Sequence, residues 1–375
     1  MFEVKTFTGG VCVLNLSEYQ RQAFGTSKID WANAEGRRVA ILGVLGELGS
    51  IAAVMKKRIR DGTAYTGATI DLVEESGDAL WYLAAIATHY GLDLESATRT
   101  CTFGEPSVGA NGHLWSLIEA IMRLNSILAA DDEHFAVDAG NLEEALGEVT
   151  QMVLHALERE GLDLTLILEE NLRKTKGLFG EVSGVAPHHD ARFHDYEQLP
   201  RTGVIEFIER PRGAVPEVLL RMNGMTIGDR LTDNFADPDG YRFHDALHLG
   251  YVAVLGWSPV TRALLRLKRK SDSVVDEQQD GARAIIIEEA ITLQVFNHAR
   301  DNNLFLRIER LDYSILKWIQ KMVRGLEVDT STAAEWQRAI LEGYKAFRQL
   351  KENRGGALTI DAVHRGLIYA PPASA

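Results

Sequence analysis

Cysteine is nearly absent: Cys12 and Cys101 are the only two in 375 residues. Neither has a second Cys or a His at metal-ligand spacing, which excludes a disulfide scaffold and a thiolate zinc site. A basic excess is also missing. Fifty-three acids against 40 Lys and Arg leave a net charge of −13, which argues against a general nucleic-acid partner. The N-terminus lacks a basic segment followed by a long apolar run, so no secretory signal is expected. No uninterrupted apolar run nears the roughly 20 residues that a bilayer crossing needs, so no membrane partner is expected either. Proline is sparse and uneven: of nine, Pro187, Pro200, Pro211 and Pro216 fall close together. A cytoplasmic protein of two or three domains is the resulting expectation.

What is present is mostly helical pattern, so the fold class expected is mainly α. Residues 1–180 carry candidate helices at 17–24, 35–60, 68–90, 112–130, 140–160 and 163–178. Thr69-Ile70-Asp71 offers a cap for the third, and Gly91 and Gly161 stand where helices should end. The prolines near 181–215 mark a linker or domain entry, with His188, His189 and His194 in a loop there. Val204–Glu209 and Glu217–Met222 read as strands, and Asn223-Gly224 as the turn of a small β-hairpin. Helix resumes from about 241 to 351, and the tail after Arg354 is expected to fray. Two domains follow, 1–180 and 181–375.

The first domain repeats itself. Gly77-Asp78 through Gly91-Leu92-Asp93-Leu94 aligns with Gly147-Glu148 through Gly161-Leu162-Asp163-Leu164, and Glu119 falls roughly opposite Glu47. A duplicated helical unit (about 1–100 and 110–180) packed into one bundle explains this.

Acids concentrate in the first copy. Glu75 and Asp78 are three apart, hence on one helix face, at the head of the apolar run Ala79–Leu83. Glu47 sits on the preceding helix. Acids at helical spacing are more often a solvated face; the flanking Gly77, the apolar run and the acid on a second helix weigh against that here. Clustered carboxylates repel unless a cation sits between them, and oxygen-only ligands suit Mg²⁺.

Glu47 in Gly-Glu-Leu-Gly, with Glu-Glu-Ser-Gly-Asp-Ala-Leu-Trp-Tyr-Leu-Ala and Gly-Leu-Asp-Leu-Glu, resembles the MazG-like all-α nucleoside triphosphate pyrophosphohydrolases. The family pattern is E-x-x-E on one helix and E-x-x-D on the next. The resemblance implies a nucleoside triphosphate substrate, Mg²⁺ as cofactor, and hydrolysis to the monophosphate and pyrophosphate. It implies Glu47, Glu75 and Asp78 as catalytic metal ligands, with Ser50 standing where the fourth acid would be. Glu170-Asn171-Leu172-Arg173-Lys174 resembles the family's later helix, so Asn171 and Lys174 would approach metal and phosphate; Lys57 is a further phosphate-binding candidate. No comparable segment is evident after Leu94 in the first copy, which suggests a composite site. The second copy is more eroded: Glu148 stands at the Asp78 position, but Ala145 and Met122 replace acids. Because of Ser50, a non-catalytic nucleotide sensor or scaffold descended from such an enzyme is the competing reading. A homo-oligomer stays open. Trp31 or Trp81 could stack on a base, although core packing is commoner for tryptophan.

A second constellation lies downstream. His244, Asp245 and His248 share a helix face, and Glu288 and Glu289 open a later one. Between them run Arg266, Lys268, Arg269 and Lys270, a counter-charge for phosphates. The order mimics the first domain, as a remote, His-containing relative would. These residues suggest a mixed nitrogen and oxygen site for Mn²⁺ or a similar ion. His-Asp adjacency also occurs in HD-type phosphohydrolases, and hydrogen-bonded core histidines are an equal alternative.

Overall fold

The structure, a computed structural model, describes residues 14–101, 112–132, 138–180, 182–212, 215–235 and 238–372. Cys12 and the side chain of Trp115 lie outside this set. The chain is mainly helical and divides into two compact units, Met1–Gly180 and Glu181–Ala375.

The first unit holds α1 (Leu16–Thr26), α2 (Ala34–Asp61), α3 (Ala68–His89), α4 (Leu94–Thr100), α5 (Gly112–Asp132), α6 (Ala139–Arg159) and α7 (Leu164–Phe179). Side-chain caps on Asn15, Asn33, Asp93, Asp138 and Asp163 start five of them. The cap expected at Thr69–Asp71 is not used. α3 begins after Gly67 without one, and Asp71 instead accepts from the Tyr65 hydroxyl at 2.6 Å.

The sequence repeat is a structural repeat. Gly91 and Gly161 both take positive φ, +70° and +65°. Leu92 N donates to Ala87 O, as Leu162 N does to Leu157 O, and Asp93 and Asp163 then cap the next helix. α4 begins where α7 does but stops at Thr100, the position aligned with Glu170, so among the described residues the first copy has no counterpart of Asn171 and Lys174. The copies exchange these terminal helices. α3 packs on α7, and α6 on α4. A glycine permits each approach: a Cβ on Gly77 would stand 3.1 Å from the Asn171 side chain, and one on Gly147 would stand 2.2 Å from Ala97 O.

α2 corrects the reading of apolar runs. The stretch Ala34–Ala64 is long and apolar enough to cross a membrane by length and composition, because Glu47 is the only charge between Val39 and Met55. Ala40, Val44, Leu48, Ile51 and Val54 bury into the bundle core, while Val39, Leu42 and Leu45 are exposed.

In the second unit the hairpin is part of a larger sheet. β1 (Thr202–Arg212), β2 (Val215–Met222), β3 (Met225–Leu231), β4 (Gly355–Asp361) and β5 (Gly366–Ala370) form an antiparallel sheet in the order β3-β2-β1-β4-β5. Asn223-Gly224 makes the β2–β3 turn. The segment 355–370 is therefore not frayed, and residues 373–375 lie outside the described set. β4 pairs with β1 along its length, Leu358 opposite Ile205, both fully buried. Gly355 and Gly356 turn the chain into it at φ +125° and +139°, a region that glycine adopts without strain.

The helices are α8 (Asp245–Leu255), α9 (Pro259–Leu265), α10 (Ser273–Gln278), α11 (Ala282–Asp301), α12 (Tyr313–Met322) and α13 (Ala333–Asn353). Every residue of α8 is buried, Asp245 and His248 among them, as expected of a helix that is otherwise apolar on every side. It crosses α13 at Gly250 and Gly343; a Cβ on Gly250 would meet Ala339 O at 2.6 Å. The proline-rich segment is packed into this unit rather than being a free linker: Ala186 N donates to Ala362 O, and Pro187 O abuts Gly256.

Candidate functional sites

The first site grows from the α2–α3 pairing. Glu47 lies midway along α2, and Glu75 and Asp78 lie one turn apart on α3. Their carboxylates each bring an oxygen within 4.8 Å of the others. Ligands sharing one cation at about 2.1 Å stand about 3–4 Å apart, so small rotations close the set. The repulsion is visible in Glu47. Partial burial, then the negative charge of Asp78, then the hydrogen bond to and charge of Glu75, push its carboxyl up to about 7, against the opposing pull of Lys174. A proton does there what a cation would do.

α7 completes the site. Asn171 Nδ2 donates to Asp78 Oδ1 at 2.9 Å. Lys174 pairs with Asp78 and, at 3.3 Å, with Glu74. Asn171 is itself held by Tyr19, whose fully buried hydroxyl donates to Asn171 Oδ1 at 2.8 Å. Burial and the charge of Asp78 raise the Tyr19 hydroxyl well above its usual pKa, so it stays a donor. Tyr19 and Glu74 escaped sequence reasoning: Tyr19 lies 152 positions from its partner, and Glu74 reads as one more acid in a run. Ser50, half-buried on α2, offers only a hydroxyl.

Lys57 lies toward the Glu75 side of the cluster, over Tyr65, whose hydroxyl feels the charge of Glu75. It is ten residues beyond Glu47, about 15 Å along the helix, with its ammonium 5.4 Å over the Tyr65 ring. Trp81 is a core residue: it is buried and donates to Thr26 Oγ1 at 2.9 Å. Trp31 stacks between Phe24 and His89, and His89 is eleven residues beyond Asp78, about 16 Å along α3. The second copy's counterpart of the acid site is closed by an ion pair, because Arg123 on α5 binds Glu144 and Glu148 at 2.6 and 3.3 Å.

The second site lies where α8 meets α11. His244 and His248, with Glu289, each offer a ligand atom within 4.8 Å of the others. Asp245 stands beside them, Oδ1 3.2 Å from His244 Nε2. Glu288 is not part of that set. It is fully buried and accepts from His248 Nδ1 at 2.7 Å, Ser258 Oγ at 2.6 Å and Val260 N at 2.8 Å. Burial works against a charged His248, but Glu288, with Glu289 and Asp245, outweighs it and pushes the imidazole up to about 9. The cavity that reaches Asp245 and His248 holds about one water, too little for a nucleotide.

The basic run does not face this site as a unit. Arg269 is buried and bound by Asp280 (2.6 Å) and Glu327 (2.7 Å). Its neighbour Arg262 is buried against Asp190 at 2.7 Å. Buried guanidinium groups demand such partners, so Arg269 holds the fold. Lys270 is exposed and pairs with Asp276 at 2.7 Å. Arg266 is exposed at the end of α9, and Lys268 is half-buried. Of the loop histidines, His189 donates to Leu255 O at 3.2 Å and His194 stacks on Tyr196.

A family model described as the MazG C-terminal domain matches residues 184–373. No curated protein and no solved structure matches the chain.

Proposed function

The chain belongs to the MazG C-terminal domain family, a MazG-like membership that at a coarse level is that of nucleotide pyrophosphatases, and from that premise we propose that the first unit hydrolyses a nucleoside triphosphate to the monophosphate and pyrophosphate. The observation that carries this reading is the convergence of Glu47, Glu75 and Asp78 from two helices with Asn171 and Lys174 from a third. The donor set is all oxygen and short of positive charge, which fits Mg²⁺; Glu47, Glu75 and Asp78 would hold it. The ion, when bound, polarises phosphate and lowers the pKa of the attacking water. Lys174 supplies a positive charge at the mouth of the carboxylate cluster, where triphosphate oxygens would arrive. Asn171 keeps Asp78 in one rotamer, and Tyr19 keeps Asn171 from turning its amide. Ser50 lowers the charge of the set by one.

The test is turnover of a nucleotide panel by the full chain with Mg²⁺, beside Glu75→Gln and Asp78→Asn. Each substitution removes a ligand charge worth several kcal/mol at the transition state, so a loss of about 100-fold or more is expected with unchanged helical circular dichroism. Wild-type turnover in both variants would sink the assignment. Tight nucleotide binding without turnover would favour the sensor reading, for which Ser50 speaks.

A further inference from the structure

The second unit carries a site that the nucleotide chemistry of the first does not use. We propose that His244, His248 and Glu289, with Asp245 beside them, bind a divalent first-row transition ion. The proposal does not depend on the function assigned to the first unit.

The two imidazoles are set for ligation by what holds their other nitrogens. His244 Nδ1 lies 2.8 Å from the Tyr241 carbonyl, and His248 Nδ1 lies 2.7 Å from Glu288 Oε1. Both partners only accept, so both Nδ1 atoms carry hydrogen. That leaves the two Nε2 atoms for the site. Both face acid oxygens: His244 Nε2 is 3.2 Å from Asp245 Oδ1, and His248 Nε2 is 3.7 Å from Glu289 Oε2. A neutral Nε2 presents a lone pair, and a lone pair against a carboxylate is repulsive unless a cation lies between them.

His248 makes the requirement acute. It is 1% exposed, and its Nε2 has no hydrogen-bond partner. A buried polar atom left unpaired is rare and calls for an explanation. The ring cannot turn away, because Glu288 grips Nδ1 and is itself fixed by Ser258 and the Val260 amide. A carboxylate behind a histidine, orienting its far nitrogen, is the support that ligating histidines characteristically have. His244 is fixed similarly, its ring stacked on Tyr241 at 4.3 Å between centroids. Glu289, on the next residue of α11, is half-exposed and free to swing the short distance inward.

The donors choose the ion. Two imidazoles and a carboxylate suit Mn²⁺, Fe²⁺, Co²⁺ or Zn²⁺ and disfavour Mg²⁺ and Ca²⁺, which prefer oxygen alone. The alternative occupant is protons, one on each Nε2.

Co²⁺ separates the two. Imidazoles bound to Co²⁺ give hyperfine-shifted, solvent-exchangeable Nδ1–H proton resonances, and the carboxylate cluster of the first unit can give none. The metal-free full chain titrated with Co²⁺ should show two such resonances, unchanged in Glu75→Gln. His244→Gln should remove at least one. Glu289→Gln, at a half-exposed position that tolerates the change, should weaken Co²⁺ binding at this site by about 10-fold or more. Two results would overturn the proposal. One is no exchangeable shifted resonance once the oxygen site is saturated. The other is a pair of resonances that survives both substitutions at undiminished affinity.

Discussion

Glu47 shows how one carboxyl reports on its surroundings. Its pKa is near 4.5 when unfolded and about 7 in the folded chain without metal. The folded state therefore binds a proton that the unfolded state has released between those values. The stability Glu47 contributes is complete below about pH 4.5 and is lost as pH rises through 7. In metal-free protein the thermal midpoint of wild type minus that of Glu47→Gln should fall from pH 5 to pH 8, and Mg²⁺ should offset the fall. A difference that is flat with pH would mean that Glu47 does not share its proton with Glu75 and Asp78. Glu75 and Asp78 were legible from spacing alone, and Asn171 and Lys174 through resemblance. Tyr19 was not: it is a solitary tyrosine, and only the meeting of α1 with α7 reveals it. Nor was the division of labour between Glu288 and Glu289. Adjacent residues point roughly 100° apart on a helix, and which one turns inward depends on Ser258 and Val260.

At the scale of helices and strands, the repeat was readable because each copy ends its middle helix with the same local chemistry, Gly-Leu-Asp-Leu. The exchange of α4 and α7 between copies was not, because it is a long-range packing choice. It has a checkable consequence in the paired glycines. Gly147→Ala places a methyl 2.2 Å from the Ala97 carbonyl, a backbone atom that cannot step aside. Overpacking of this kind costs about 1–3 kcal/mol, so a lower thermal midpoint with site residues untouched is expected. Gly77→Ala meets instead the Asn171 side chain at 3.1 Å, which can give way. The expected outcome is near-normal stability with turnover reduced about 10-fold, since Asn171 then releases Asp78. Equal stability losses in both variants would contradict the distinction. β1, β2 and the turn after β2 were legible for the opposite reason: their signals are local. β4 and β5 were not, because β4 finds its partner about 150 residues upstream, across all the helices of the unit.

Taken whole, the described residues include two candidate cation sites of different chemistry, one in each unit. One is a trio of carboxylates that repel one another; the other is a pair of oriented imidazoles with acids beside them. A net charge of −13 makes a long polyanion a poor partner, whereas a triphosphate arriving with its metal brings much of its own compensation. The basic run that seemed to await phosphate includes a buried arginine that is already paired with Asp280 and Glu327. Charge in this molecule is therefore compensated locally, and under the proposed function phosphate handling falls to the first unit. The most direct test is phosphorus NMR of the full chain turning over nucleoside triphosphates with Mg²⁺. Nucleoside monophosphate and pyrophosphate in equal amounts, with no orthophosphate, is the predicted result. Diphosphate with orthophosphate, or no turnover across the panel, would contradict it.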